Sequence, residues 1–259
     1  MSDTPAAPAP ASAPLPQFYH RVVGVNPALH GGLRLDRSVG YAFAARAQSV
    51  PLGLGEFDVT SRHYPILFTT GAHPAPVALL GLNEVGNLFV LPDGGWRPDT
   101  YIPAYIRAFP FIFVEDETAR TTYVGMEETA ACLRRDTGTA LFEDGQPTPA
   151  LNEAVKFCSA YRDNLTASNA LGRALADAGV LQEEEATVNF TTGGSARVRG
   201  FQVVKPEKLD AVSDETFLDW RRRGWIAAIY AHLHSAGQGG RLIDLAAVAG
   251  VRQEAVGHA

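Results

Sequence analysis

The chain is poor in the residues that staple, anchor or export a protein. It has two cysteines, Cys132 and Cys158, too few for a disulfide framework and without the C-x-x-C spacing of zinc or redox sites, so reduced and buried thiols are expected. Long apolar runs are missing as well. Tyr64 to Leu82 carries no Asp, Glu, Lys or Arg, but Pro65, Pro74 and Pro76 with Gly71 and Gly81 cut it into strands and a loop, which excludes a membrane span. Basic residues are outnumbered, 22 Lys and Arg against 28 Asp and Glu, giving a net charge of −6 and a pI of about 5.6. Neutralising phosphates requires a concentrated basic surface, so no nucleic acid is expected as a partner. The longest basic run, Arg221-Arg222-Arg223, reads as the solvated face of a helix. The first sixteen residues hold five prolines and five alanines but neither a basic n-region nor an apolar h-region. Residues 1–17 are therefore expected to form a disordered tail without a secretory signal, and the chain to be cytoplasmic.

Motifs that impose a mechanism are absent too. The sequence holds no GxSxG elbow, GxxxxGK[ST] loop, GxGxxG turn, HExxH helix or EF-hand loop, and no cofactor or metal is expected. His232 and His234 form an HxH pair, but on a helix they lie about 200° apart around the axis and cannot converge on a metal. Gly193-Gly194-Ser195 has the amides to cradle an anion, yet between two strand-like runs it reads as a hairpin turn. Glu183-Glu184-Glu185 reads as a solvated loop before that hairpin, and the Asn164 and Asn189 glycosylation patterns carry no weight without a secretory signal.

What is present is the composition of a globular protein, 46% hydrophobic and 19% charged, with one domain expected over residues 18–248 and a frayed end at 249–259. Its most concentrated stretch is Trp96 to Asp116, where Trp96, Tyr101, Tyr105, Phe109, Phe111 and Phe113 alternate with Pro98, Pro103 and Pro110, and Phe89 lies just upstream. Pro103 suits a first helical turn and Pro110 stops a helix, predicting a helix from Tyr101 to Ala108 and a strand from Phe111 to Val114. Short extended pieces are predicted near Tyr19 to Asn26, Leu33 to Leu35 and Tyr41 to Ala45, and strands at Ile66 to Phe68 and Thr121 to Met126. Pro76 to Leu82 and Asn87 to Val90, joined by the turn-rich 83–86 segment, read as the clearest strand pair. Thr148-Pro149 is an N-cap followed by proline at the first helical position, and Leu151, Val155, Cys158, Tyr161 or Arg162, Leu165, Leu171 and Leu175 then recur at helical spacing as far as Gly179, with a kink or break around Thr166 to Asn169 left open. A second hairpin is expected over 187–204. A helix capped by Ser213 should run through Trp225, Ile229 and Leu233 to a Gly237–Gly240 loop, with a short helix from Leu242 to Val248. Runs of strands followed by runs of helices predict an α+β fold, a mostly antiparallel sheet from the N-terminal half packed by the C-terminal helices.

The segments PVALLGLNEVGNLFVLPDGGWRP, YIPAYIRAFPFIF, LFEDGQPTPAL and RRRGWIAAIYAHLHS, in this order, resemble the bacterial SapC family from Tyr19 to about Leu242. The resemblance implies a link to a surface-layer locus associated with serum resistance, and to genes for outer-membrane TonB-dependent receptors and flavin-dependent tryptophan halogenases. It implies no catalytic residues. An unrelated peptide-transporter permease shares the name SapC, and the absence of a spanning segment excludes that protein. The reading that follows is a non-enzymatic binding or accessory protein serving a surface-layer or outer-membrane uptake system, with a peptide, protein segment or glycan as ligand. Trp96, Tyr101, Tyr105 and Arg107 are its candidate site, because Tyr and Trp join a flat apolar face to a polar tip, and Tyr101 and Tyr105 would share a helix face. One alternative is an enzyme acting on a peptide or sugar through Glu56, His63 and His232, brought together from distant parts of the chain. Another is a structural surface-layer protein exported by a route that leaves no classical signal.

Overall fold

The computed structural model describes residues 15–82, 86–116, 121–189 and 195–257. The fold is α+β, and among the described residues every strand pairing is antiparallel. The strands form two main sheets instead of one. A five-stranded sheet runs in the order Leu181–Asn189, Ser195–Val204, Ile66–Thr69, Pro76–Leu79, Ser49–Pro51, so two of its strands come from the C-terminal half. A three-stranded sheet places Thr121–Glu127 between Val22–Gly24 and Phe111–Asp116. Small two- and three-stranded pieces over residues 34–35 and 133–147 complete the set.

The Pro149–Asp177 helix joins the two sheets, packing on both Phe111–Asp116 and Pro76–Leu79. Its start follows the capping rule: the Thr148 hydroxyl accepts a hydrogen bond from the Leu151 N–H. The chain leaves it through Gly179 at φ +69°. Gly172 sits where the helix presses on the backbone of Pro74, and a Cβ there would lie 1.9 Å from the Pro74 carbonyl oxygen. Ser168 donates to the Leu52 carbonyl at 2.7 Å from mid-helix, where the helix continues unbroken.

Five sequence expectations are revised. Asn87 to Val90 is not a strand: Asn87 Oδ1 accepts from the Phe89 N–H at 2.9 Å, a local bond that competes with ladder formation, and only Leu88 N–H reaches back to Leu80. Pro76–Leu79 pairs instead with Ile66–Thr69 and Ser49–Pro51, and most of the supposed turn lies outside the described residues. Tyr41 to Ala45 holds a 3-10 turn at Ala42–Ala44. Glu183 to Glu185 belongs to the Leu181–Asn189 strand, where Glu184 pairs with Lys205 and Glu185 with Arg199. The helix capped by Ser213 ends at Arg222, Gly224 adopts φ +73°, and a new helix runs Trp225–Ser235. The last helix, Gln238–Gly257, is longer at both ends than expected. The turn through Gly193 and Gly194 and most of the N-terminal tail lie outside the described residues.

Candidate functional site

The aromatic stretch is held by a buried carboxylate. Glu56 ends the 3-10 turn Leu54–Glu56 and accepts from the Tyr101 hydroxyl at 2.8 Å and the Ala104 N–H at 2.6 Å through Oε1, and from the Gly53 N–H at 3.1 Å through Oε2. Pro103 keeps an extended ψ of 144°, so the helix begins only at Ala104 and runs to Ala108. Tyr101 therefore precedes the helix, and the expected i, i+4 pairing with Tyr105 does not form. Arg107, in the last turn, donates to the Tyr101 hydroxyl at 2.7 Å and to the Ile102 carbonyl at 3.0 Å. Its guanidinium also lies 5.2 Å from the Tyr101 ring centre and 4.9 Å from that of Phe157. Glu56, Tyr101, Arg107, Phe157, Tyr161 and Asn164 line a small surface pocket of about 220 Å³.

Tyr105 faces elsewhere. With Tyr19, Phe111, Phe113, Cys158 and Tyr161 it lines an apolar cavity of about 330 Å³ between the long helix and the three-stranded sheet. The cavity's polar tips are tied to the backbone: the Tyr19 hydroxyl donates to Phe111 O at 2.8 Å, that of Tyr105 to Gln17 O at 2.5 Å and that of Tyr161 to Pro51 O at 3.4 Å. Burial raises the pKa of all three phenols far above the ordinary tyrosine value and pushes the Cys158 thiol up to about 11. At neutral pH these groups are uncharged. Arg162 is the charged residue in the wall, its guanidinium 4.7 Å from the Phe113 ring centre.

The family model for SapC matches residues 25–242, which takes in the Glu56 cluster and all of the cavity wall except Pro16, Gln17 and Tyr19. The chain belongs to the SapC family. No match is found among curated proteins or among solved structures. Among the described residues no helix of this SapC chain is long and apolar enough to cross a membrane.

The structure distributes the residues singled out from the SapC sequence over several environments. Tyr101 and Arg107 share the surface pocket, and Tyr105 lines the cavity behind it. Trp96 packs away from both, stacked on Phe89 with ring centres 6.2 Å apart and edge-on to Tyr41 at 5.7 Å. Glu56 joins the Tyr101 cluster, not a histidine. His232 is buried in the core, where Nδ1 bonds the Ile66 carbonyl at 2.8 Å and Nε2 accepts from the Val204 N–H at 3.0 Å. Both ring nitrogens are thus committed to the backbone. Among the described residues no hydrogen bond links Glu56, His63 and His232 to one another, and no group of three or more His, Cys, Asp or Glu could hold a metal. Sequence reasoning missed Tyr19, Phe157 and Tyr161. Cys158, Tyr161 and Leu165 were visible as the apolar stripe of the long helix, but a stripe does not show that the opposing surface stops short of filling the space beneath it.

Proposed function

We propose that this SapC-family chain is a non-enzymatic binding protein that receives an apolar group, such as a side chain of a peptide or protein segment or the flat face of a glycan ring, in the 330 Å³ cavity lined by Tyr19, Tyr105 and Tyr161. One observation carries the reading. The cavity wall has large apolar area and a few oriented polar tips, the usual make-up of a ligand pocket, while its phenols and thiol are held neutral and, among the described residues, neither carboxylate nor imidazole lines it. General acid–base catalysis needs a group that changes protonation near the working pH, and this wall supplies none. Service to a surface-layer or outer-membrane uptake system belongs to the proposal through the family's genomic settings alone.

The test is a titration followed by NMR chemical shifts, using a panel of N-acetylated, C-amidated tripeptides with Leu, Phe or Trp at the centre and a parallel panel of short oligosaccharides. Members of one panel should shift resonances of the Tyr105 and Tyr161 rings saturably. Leu165→Trp, placed in the cavity wall on the long helix, should abolish those shifts while the melting temperature holds. Silence from both panels, or shifts that survive the cavity-filling variant, would remove the cavity from consideration.

A further inference from the structure

A third concave surface lies beside these two, sharing Ala108 with the cavity and Arg107 and Phe157 with the small pocket, and its chemistry differs. This open groove of about 510 Å³ runs between the Pro149–Asp177 helix and the Arg37–Val39 turn, with Arg37 and Arg107 in its lining alongside Tyr41, Ala150, Ala154 and Phe157. Each guanidinium is pinned by a backbone carbonyl at one edge, Arg37 to Phe109 at 2.7 Å and Arg107 to Ile102 at 3.0 Å. Neither has a carboxylate within 4 Å among the described residues. Glu153, the acidic residue of the groove, is exposed and pairs with Lys156 at 3.1 Å. Arginine presents five N–H donors in a planar fork, and the bonds just named use only part of that capacity in each residue.

We infer that this groove binds a carboxylate carried on an apolar body, the carboxylate held by Arg37 and Arg107 and the body lying over Phe157, Tyr41 and the alanines of the long helix. Arg107 meets the Glu56 carboxylate through the Tyr101 hydroxyl, and neither arginine touches a carboxylate directly among the described residues. Two cations fixed by the backbone with N–H groups to spare suit a planar anion that accepts paired N–H bonds. The apolar remainder of the lining and the nearby Glu153 disfavour a phosphate dianion, which would lose hydration without apolar compensation and meet like charge. The carboxylate can come from a peptide C-terminus or from a free organic acid. Both present the same group to the two arginines.

Calorimetric titration of the full chain with N-acetylphenylalanine and with its amide tests the inference, and the tripeptide Ala-Ala-Phe with a free or an amidated C-terminus separates the two sources. The free acid should bind saturably and the amide should not. Arg37→Gln should weaken binding about tenfold, the loss of roughly one charge-assisted hydrogen bond. Its melting temperature should hold because the side chain is exposed. Ala154→Trp should block the groove without touching either arginine. Tighter binding of the free tripeptide than of the acetylated amino acid assigns a peptide terminus, and the reverse assigns an organic acid. The inference is overturned if acid and amide bind alike, if neither binds, if inorganic phosphate competes as well as the acid, or if Arg37→Gln binds undiminished.

Discussion

Glu56 shows at the scale of one residue how a buried carboxylate organises loops. Its oxygens collect Tyr101 Oη–H, Ala104 N–H and Gly53 N–H, joining two stretches of chain that are 48 residues apart at Ala104. In Glu56→Gln one oxygen becomes an NH2 group facing an N–H or O–H donor, and buried donors left unpaired cost about 1–3 kcal/mol each. Glu56→Gln should therefore lower stability by roughly 2 kcal/mol in urea denaturation, and an unchanged midpoint would show that water replaces the lost acceptor. Tyr105 is only 6% exposed, so Tyr105→Ala should cost about 3–5 kcal/mol as a cavity-forming truncation. Tyr105→Phe, which keeps the ring and gives up the bond to Gln17 O, is the variant that can report on binding. Neither role was legible in the sequence. Glu56 precedes Tyr101 and Ala104 by dozens of residues, and nothing local distinguishes a tyrosine whose hydroxyl meets a distant carbonyl from one that meets solvent.

Single elements were read more reliably where the signal is local. The Thr148 cap, the proline at the first helical position, the stripe from Leu151 to Leu175 and the exit at Gly179 all lie within one helix, and all are found. The strand after Pro110 was legible for the same reason, and Trp225 and Ile229 lie on a helix as expected and are buried. Failures came where a single residue redirects the chain: Asn87 bonding Phe89, Pro103 delaying a helix, Gly224 breaking one. Gly172 makes the contrast measurable. On propensity alone Gly172→Ala in a helix interior should stabilise by roughly 1 kcal/mol. Here the added Cβ would stand 1.9 Å from the Pro74 oxygen, so helix and loop must separate. We expect a lower melting temperature for Gly172→Ala, whereas a rise would mean that the helix does not press on the loop before Pro76–Leu79. Trp225→Ala should likewise cost about 3–5 kcal/mol, because the ring lies 7% exposed at the start of its helix.

For the whole molecule, the fold class was legible because most strands precede the Pro149–Asp177 helix and the longer helices run from it onward, while strand partnership was not. The register that sets Phe201 opposite Thr69 joins segments 132 residues apart, and no local pattern specifies which edge a late hairpin will choose. His232 sits at that junction, bonded to Ile66 on one strand and to Val204 on the neighbouring one, so its helix clamps the two halves of the five-stranded sheet. Burial holds its imidazole down at about 4, against an ordinary value near 6.5. Between those limits the unfolded chain carries a proton that the folded chain lacks. The contribution is therefore complete above about 6.5, is lost as the pH falls through the window and levels off below about 4. The gap bounds the loss at on the order of 3 kcal/mol. His63, whose pKa is lowered by burial and by the charges of Arg241 and Arg62, adds to the wild-type curve with the same sign. Glu127, whose pKa burial raises but bonds from Thr129, Arg21 and His20 bring below the ordinary carboxylate value, adds a further loss at lower pH. His232→Gln removes the His232 contribution selectively, since an amide can donate to Ile66 O and accept from Val204 N without titrating in this range. Urea denaturation of wild type and His232→Gln at a series of pH values from 7.5 to about 4 should give curves that converge as the pH falls, because wild type loses up to ~3 kcal/mol more than the variant. Parallel curves would mean that the folded protein protonates His232 as readily as the unfolded chain does, and that the ring is not sealed between the two strands.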